Sequence, residues 1–460
     1  MADPTLVPDK IRSKLSSVGL WDTDPVNLFR ITWKNEPVVA GGGFGNVNSM
    51  EFPRELTGVD ARIIALVGKW FPTGSHKVGA TYGCLVPALV SGQFDPTIHT
   101  SAWPSTGNFC RGGAYTANLL GCESVAILPE GMSRERFDWL SRVTGEVITT
   151  PGGESNVKEV FDKCAELLRE RSDIVIFNQF EQYGNHLWHY YVSGQAAAEL
   201  VAAKMGEKGR LAAFVSQSGS AGTLGAGDYL KERYPLAKIV ASEALQCPTL
   251  LMNGFGDHRI EGIGDKHVPW IHNVRNTDVV MAIDDQACLS LLRLFNEPEG
   301  RRYLETAGVA SSTVDQLSLL GISGIGNLLS AVKLAKYFEL DHSDVVVTVL
   351  TDSVEMYVTR LQEMNMECGP YGRSNASSDF DRYISGQSTD HILELDYPSR
   401  KRIHNLKYYT WIEQQGKDVD ELNRQWNEFP DYWDNLHAGI TEIDQQIDEF
   451  NERSGVLENL

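Results

Sequence analysis

Several things are scarce or missing in this chain, and each absence narrows the field. Seven cysteines are scattered through 460 residues, an odd number with no Cys-x-x-Cys pair. Neither a disulfide framework nor a zinc knuckle is indicated, and the thiols read as small apolar fillers in a reducing compartment. No apolar run approaches the ~18 residues that a membrane span needs, so no membrane partner is expected. Basic residues are outnumbered, 41 Lys and Arg against 61 Asp and Glu, for a formal charge of −20. A surface that acidic repels phosphate backbones and anionic lipid, which argues against nucleic acid. The start, Met1-Ala2-Asp3-Pro4, has an acid where a secretion signal carries a basic flank, so a cytoplasmic location is the expectation. Internal repeats and low-complexity tracts are absent. So are the three-glycine dinucleotide fingerprint and the Gly-Lys-[Ser/Thr] of a Walker loop, which removes dinucleotide redox enzymes and P-loop nucleotidases.

What is present is an ordinary globular composition, 42% hydrophobic with 42 glycines. Short β-branched runs alternate with helical patterns, the signature of parallel βαβ units. Strands are expected at 61–67, 124–128, 146–149, 174–177, 211–215, 238–241 and 345–350. Helices are expected at about 134–143, 157–171, 224–233 and from 321 to about 337. From about residue 375 the texture turns polar and acidic. The spacing of 440–450 suits an amphipathic helix, and the tail reads as an appendage packing on the core or on a neighbouring subunit.

Lys77 stands out. It lies in Gly74-Ser75-His76-Lys77, where an apolar strand runs into a helix start. A lysine in the first turn of a helix feels the positive end of the dipole, which disfavours its charged form. Kept partly neutral, such an amine is a nucleophile suited to a Schiff base with a carbonyl or with pyridoxal phosphate. The plain alternative is one more solvated lysine. Three glycine- and hydroxyl-bearing loops add to the case. Gly219-Ser220-Ala221-Gly222-Thr223 follows a buried strand and precedes a helix, a place where backbone N–H groups can meet a phosphate. Ser105-Thr106-Gly107-Asn108 offers a carboxylate cradle or, more simply, an N-cap. Ser323, opening a third helix, is either a cap or a hydroxyl for a ligand.

Taken in order along 29–357, these segments resemble the fold-type II pyridoxal-phosphate enzymes of the tryptophan synthase β superfamily, nearest to the cysteine synthase and cystathionine β-synthase branch. The resemblance implies two doubly wound α/β domains with mostly parallel sheets and a C-terminal helical extension. Residues 1–83 would begin the large cofactor domain, 84–182 would form a small mobile domain, 183–374 would complete the large domain and 375–460 would be an acidic extension. It implies pyridoxal 5'-phosphate bound through Lys77, His76, Asn108, Gly219, Ser220, Ala221, Gly222, Thr223 and Ser323. Ser105, Thr106, Gly107, Gln179 and Gly262 are similar to the family's substrate-binding positions. Met132 to Arg136, His258 to Gly264, and Asp352, Ser353, Val354 and Tyr357 continue the match.

One departure is Asp265-Lys266-His267, where the family carries small or aromatic residues. Three polar groups there are read as lying near the substrate side chain. His186 and His189 are read as structural, and no metal is expected. The implied activity is β-replacement or β-elimination on a small serine-, cysteine- or aspartate-like amino acid through an aminoacrylate, with a small nucleophilic second substrate in the replacement case. The alternatives are a pure lyase (a dehydratase, desulfhydrase or ammonia-lyase releasing keto acid and ammonia) and a weakly active cofactor-binding partner subunit. A homodimer is implied.

Overall fold

The computed structural model describes residues 1–105, 107–153, 156–264 and 266–459. Thr106 and Asp265 therefore lie outside the described residues. Eleven strands are formed among the described residues: β1 (Ser49–Phe52), β2 (Arg62–Val67), β3 (Thr100–Pro104), β4 (Ser124–Pro129), β5 (Glu146–Thr150), β6 (Ile174–Ile176), β7 (Arg210–Gln217), β8 (Lys238–Ala244), β9 (Val279–Ile283), β10 (Asp344–Leu350) and β11 (Ile392–Glu394). They build a seven-stranded sheet in the order β1-β2-β10-β7-β8-β9-β11 and a four-stranded sheet in the order β5-β4-β3-β6. Pairing is parallel except at the two edges of the large sheet, where β1 and β11 run antiparallel to β2 and β9. The small sheet is wholly parallel.

Strand β10 explains why the large sheet is central. All seven of its residues are buried, as expected for a Val-rich strand covered by helices on both faces. One face packs against the helices Asp285–Asn296 and Ile322–Tyr337, the other against Lys77–Val90, Gly194–Lys204 and Leu224–Arg233. The C-terminal extension belongs to the same body. It supplies edge strand β11, and Trp411 and Leu422 are buried with Phe180, Trp270 and Ile271. The amphipathic helix expected at 440–450 runs from Ile440 to Ser454 and lies along the Lys77 helix. Among the described residues no helix is long and apolar enough to cross a membrane.

Candidate active site

The residues singled out from sequence emerge mostly from the C-terminal ends of parallel strands, the usual place for a ligand in an open α/β sheet. Pro104 of β3 leads into Ser105, Ile176 of β6 into Asn178 and Gln179, Gln217 of β7 into the 219–223 loop, and Leu350 of β10 into Asp352. Lys77 opens the helix Lys77–Val90. Just before it, Thr73 and Gly74 take left-handed backbone angles, φ 67° and 71°. That conformation is strained for a β-branched residue, and such strain gathers at functional sites.

Lys77 Nζ donates to Ser220 Oγ at 3.3 Å and makes a long contact with Gln179 Oε1 at 3.5 Å. Gln179 Nε2 in turn donates to Ser105 Oγ at 3.2 Å, and that hydroxyl also accepts from Gly107 N at 3.2 Å. The Schiff-base candidate, two substrate-carboxylate candidates and a phosphate-loop hydroxyl thus form one connected group.

Asn185, which sequence reasoning missed, ties this group together. Its Nδ2 donates to the Gln179 carbonyl and to Ser220 Oγ, both at 2.9 Å. A Cβ at Gly222 would fall on the Asn185 carboxamide, which is why only glycine fits there. Its signal was present in the sequence: an amide in the helix that follows Gln179.

The loop itself fits a phosphate. Ala221 takes φ 63°, Thr223 Oγ1 bonds Ser216 Oγ at 2.6 Å, and no side chain caps the helix Leu224–Arg233. The N–H groups of Leu224, Gly225 and Ala226 turn back onto the carbonyls of Ala221, Gly222 and Thr223 at 3.0–3.1 Å, so a phosphate would be met chiefly by the loop's own N–H groups and hydroxyls at the positive end of the helix. Gly262 and Ile263 pack against Gly219, and His258 Nε2 meets the Gly264 carbonyl at 2.8 Å, holding that segment over the loop.

Asn108 is engaged elsewhere. Its Nδ2 donates to Asp352 Oδ2 at 2.6 Å, and that oxygen also accepts from Tyr357 OH at 2.8 Å. Burial raises the Asp352 carboxyl above its ordinary value, opposed by Arg136, Asn108, Tyr357 and Arg111. His76 packs in the interior beside Trp33 and His189. Burial first and the neighbouring Lys77 second hold its imidazole well below its usual range, so it stays neutral. Ser323 is buried in the first turn of the helix Ile322–Tyr337, with no hydrogen-bond partner among the described residues.

The small sheet is clasped onto the large one beside this group. Arg136, wholly buried, pairs with Glu261, whose other oxygen accepts from Arg360 Nε at 2.7 Å. Glu135 accepts from the Thr359 backbone and hydroxyl at 2.8 and 2.6 Å.

Of the polar trio at 265–267, Lys266 and His267 are described, and they face different surroundings. Lys266 is exposed and paired with Asp257 at 3.1 Å. His267 lies in a cage of Phe161, Phe180 and Trp411, and burial depresses its imidazole to about 3. The extension's Trp411 buries that ring, and a sequence read without its tertiary partners gives no hint of this. The two helix-start histidines also part company. His189 bonds Ser193, while His186 Nε2 faces His437 Nε2 at 2.9 Å, with Asp228 Oδ2 at 3.8 Å. The two rings are 6° from coplanar with centroids 5.2 Å apart. That is a head-on N–H···N hydrogen bond between the two imidazoles, and with the Asp228 carboxylate these nitrogens make a buried trio of metal-ligand type.

Residues 70–324, more than half of the chain, match the family described as pyridoxal-phosphate dependent enzyme. The chain belongs to that family. Its cofactor is pyridoxal phosphate, and the lysine, hydroxyls and uncapped helix start described above are a donor set suited to it. Among curated relatives, the cysteine synthase of Staphylococcus aureus (strain N315) is 29% identical over 289 residues, 63% of this chain and 84% of that protein. The cystathionine beta-synthase of Saccharomyces cerevisiae is 26% identical over 319 residues, 67% of this chain and 59% of that protein. Among solved structures, O-acetyl serine sulfhydrylase isoform 3 from Entamoeba histolytica superposes with a TM-score of 0.59 at 22% identity, covering 73% of this chain and 92% of the other. The O-acetylserine dependent cystathionine beta-synthase from Helicobacter pylori gives 0.56 at 24%, covering 68% and 94%. These likenesses establish the tryptophan synthase β-like fold.

Proposed function

We propose that this enzyme carries out β-replacement or β-elimination on a small β-substituted amino acid of the serine, cysteine or aspartate kind. The observation that carries the reading is the connected group Lys77–Gln179–Ser105, with Lys77 also bonded to Ser220. Bound pyridoxal phosphate supplies a conjugated ring able to take up the electron pair left at the substrate's Cα. Lys77 Nζ would hold the cofactor's aldehyde carbon, and the 219–223 loop with the helix start behind it would hold the phosphate. Ser105 and Gln179 would orient the substrate carboxylate, with Asn108 and Gly107 beside them. Lys77 Nζ, as a free amine beside the substrate, would take the Cα proton and could return it to the leaving group.

Ser323 supports elimination chemistry over transamination. Set against the ring nitrogen of bound cofactor, its hydroxyl would donate a hydrogen bond without giving up a proton, whereas a carboxylic acid would protonate it. The nearby acid, Asp352, is already bonded to Asn108 and Tyr357. The segment 84–182 is read as the mobile unit that closes over substrate and excludes water. Of its clasp, Glu135 and Arg136 lie on its side, and Glu261 and Thr359 on the other. The relatives' names, cysteine synthase and cystathionine beta-synthase, support a thiol or sulfide as second substrate. A cytoplasmic homodimer completes the reading, and sedimentation of the holoenzyme tests the oligomer.

The deciding experiment is mass spectrometry of products after mixing holoenzyme with a panel of β-substituted amino acids, with and without thiols. A new β-thioether or cysteine product supports replacement, and keto acid with ammonia supports elimination. Holoenzyme that leaves every member of the panel unchanged refutes the reading.

A further inference from the structure

Gln217 ends β7, immediately before the phosphate loop, and is 5% exposed. It is the one carboxamide among the described residues with both polar atoms buried and unmet, Oε1 and Nε2 alike. Its backbone is fixed: the N–H donates to Asn327 Oδ1 at 2.6 Å, and Asn327 Nδ2 holds the Val349 carbonyl at 2.7 Å. Alternation along β7 puts Gln217 on the same face as Ala213 and Val215, which pack toward the helix Ile322–Tyr337. There the carboxamide lies directly on Gly326, where any Cβ would overlap it. Gly326 is three residues after Ser323, so the two share one side of that helix. Ser323 is itself 3% exposed, its hydroxyl keeping some contact with solvent, whereas the Gln217 carboxamide is cut off from it. The buried carboxamide thus sits one helical turn from Ser323, between the phosphate loop and a helix start. An apolar residue would cost less at position 217 unless a ligand meets the amide.

We infer that Gln217 is a second cofactor contact beside Ser323, its Nε2 and the Ser323 hydroxyl converging on the single lone pair of the ring nitrogen of bound pyridoxal phosphate as one shared, three-centre hydrogen bond. The inference rests on the cofactor site described above. An amide, like a hydroxyl, donates without transferring a proton, so it deepens the case for a ring nitrogen left unprotonated.

The test compares wild type with Gln217→Leu and Gln217→Glu, each stripped of cofactor and titrated with pyridoxal phosphate. Gln217→Leu is expected to bind it about tenfold more weakly, the usual worth of one buried hydrogen bond. Its cofactor-free form should melt no lower than wild type, because an unmet polar group has been removed. Gln217→Glu, of equal size, is expected to shift the long-wavelength absorption band of the bound cofactor. Wild-type affinity in Gln217→Leu overturns the inference. Weakened affinity with an unmoved band in Gln217→Glu also overturns it, since the residue would then be merely structural. A wild-type protein that bound no pyridoxal phosphate would instead remove the cofactor site itself.

Discussion

Replacing Glu261 by Gln tests whether the clasp between the two sheets is electrostatic. Glu261 is 4% exposed and Arg136 not at all, so this pair is screened neither by water nor, to first order, by salt. Removing the carboxylate charge leaves a buried guanidinium bonded to Ser133 Oγ at 2.9 Å and Tyr357 OH at 3.4 Å, with the buried Asp352 carboxyl as its remaining counter-charge. Breaking one side of a buried pair costs about 3–5 kcal/mol. The amide oxygen of Gln still accepts a hydrogen bond, so the low end, about 3 kcal/mol, is expected. Arg360, on the outer side of Glu261, is 28% exposed, and Arg360→Met should cost at most about 1 kcal/mol.

The double variant Arg136→Met with Glu261→Met should recover most of the loss, because it removes both members of the pair. The assay is equilibrium urea unfolding at pH 7.5 with cofactor concentration held fixed, since ligand binding shifts apparent stability. Two sheets can unfold in two steps, so fluorescence and circular dichroism are followed together. A loss below about 1 kcal/mol for Glu261→Gln, matching Arg360→Met, would refute the reasoning. It would mean that Arg136 keeps its hydration and that the two segments are not held shut by this pair.

The parallel strands were legible because a strand buried on both faces must be a continuous run of apolar or β-branched residues. Leu211 to Val215 and Val345 to Leu350 are such runs, and both lie inside observed strands. The edge strands were not. Ser49–Phe52 and Ile392–Glu394 are short, half-buried and antiparallel, with nothing in their local composition to separate them from loops. Strand β9, Val279–Ile283, is fully buried and bracketed by Asn276-Thr277-Asp278 and Asp284-Asp285, so it was legible on the same rule although it is not among the expected strands.

The site divides in the same way. Lys77, Gln179, Ser105 and Ser220 were reachable because each sits where a strand meets a loop or helix. Asn185 and Gln217 are visible in sequence as amides, but their roles were not, because each depends on a partner more than thirty residues away: Ser220 for one, Gly326 for the other. His267 is only half legible, for the converse reason. Its polarity is visible in sequence, while the Trp411 ring that covers it comes from the far extension.

Three further outcomes are expected. Lys77→Ala should abolish the visible absorbance of bound cofactor, read by spectrophotometry after dialysis, and an unchanged spectrum would remove Lys77 as the attachment point. A chain ending at residue 374 should aggregate on expression, because loss of β11 bares the edge of β9 and loss of Trp411 and Leu422 opens the apolar group around Trp270; a soluble monodisperse product by size-exclusion chromatography would contradict this.

Acid should destabilise the fold through His272, whose imidazole burial and the nearby Lys407 depress to about 3, with Nε2 held 2.9 Å from Thr277 Oγ1. Between pH 6.5 and about 3 the unfolded chain binds a proton that the folded chain refuses, so stability is present above pH 6.5 and is lost as pH falls. At pH 5 the loss from this one group is about 2 kcal/mol relative to pH 7.5. His272→Gln, which keeps an amide near Thr277 without titrating, should shrink the difference in urea stability between those two pH values by that amount. An acid loss equal to that of wild type would show that the His272 ring takes up its proton inside the folded protein, and that the core around Lys407 is wetter than its packing indicates.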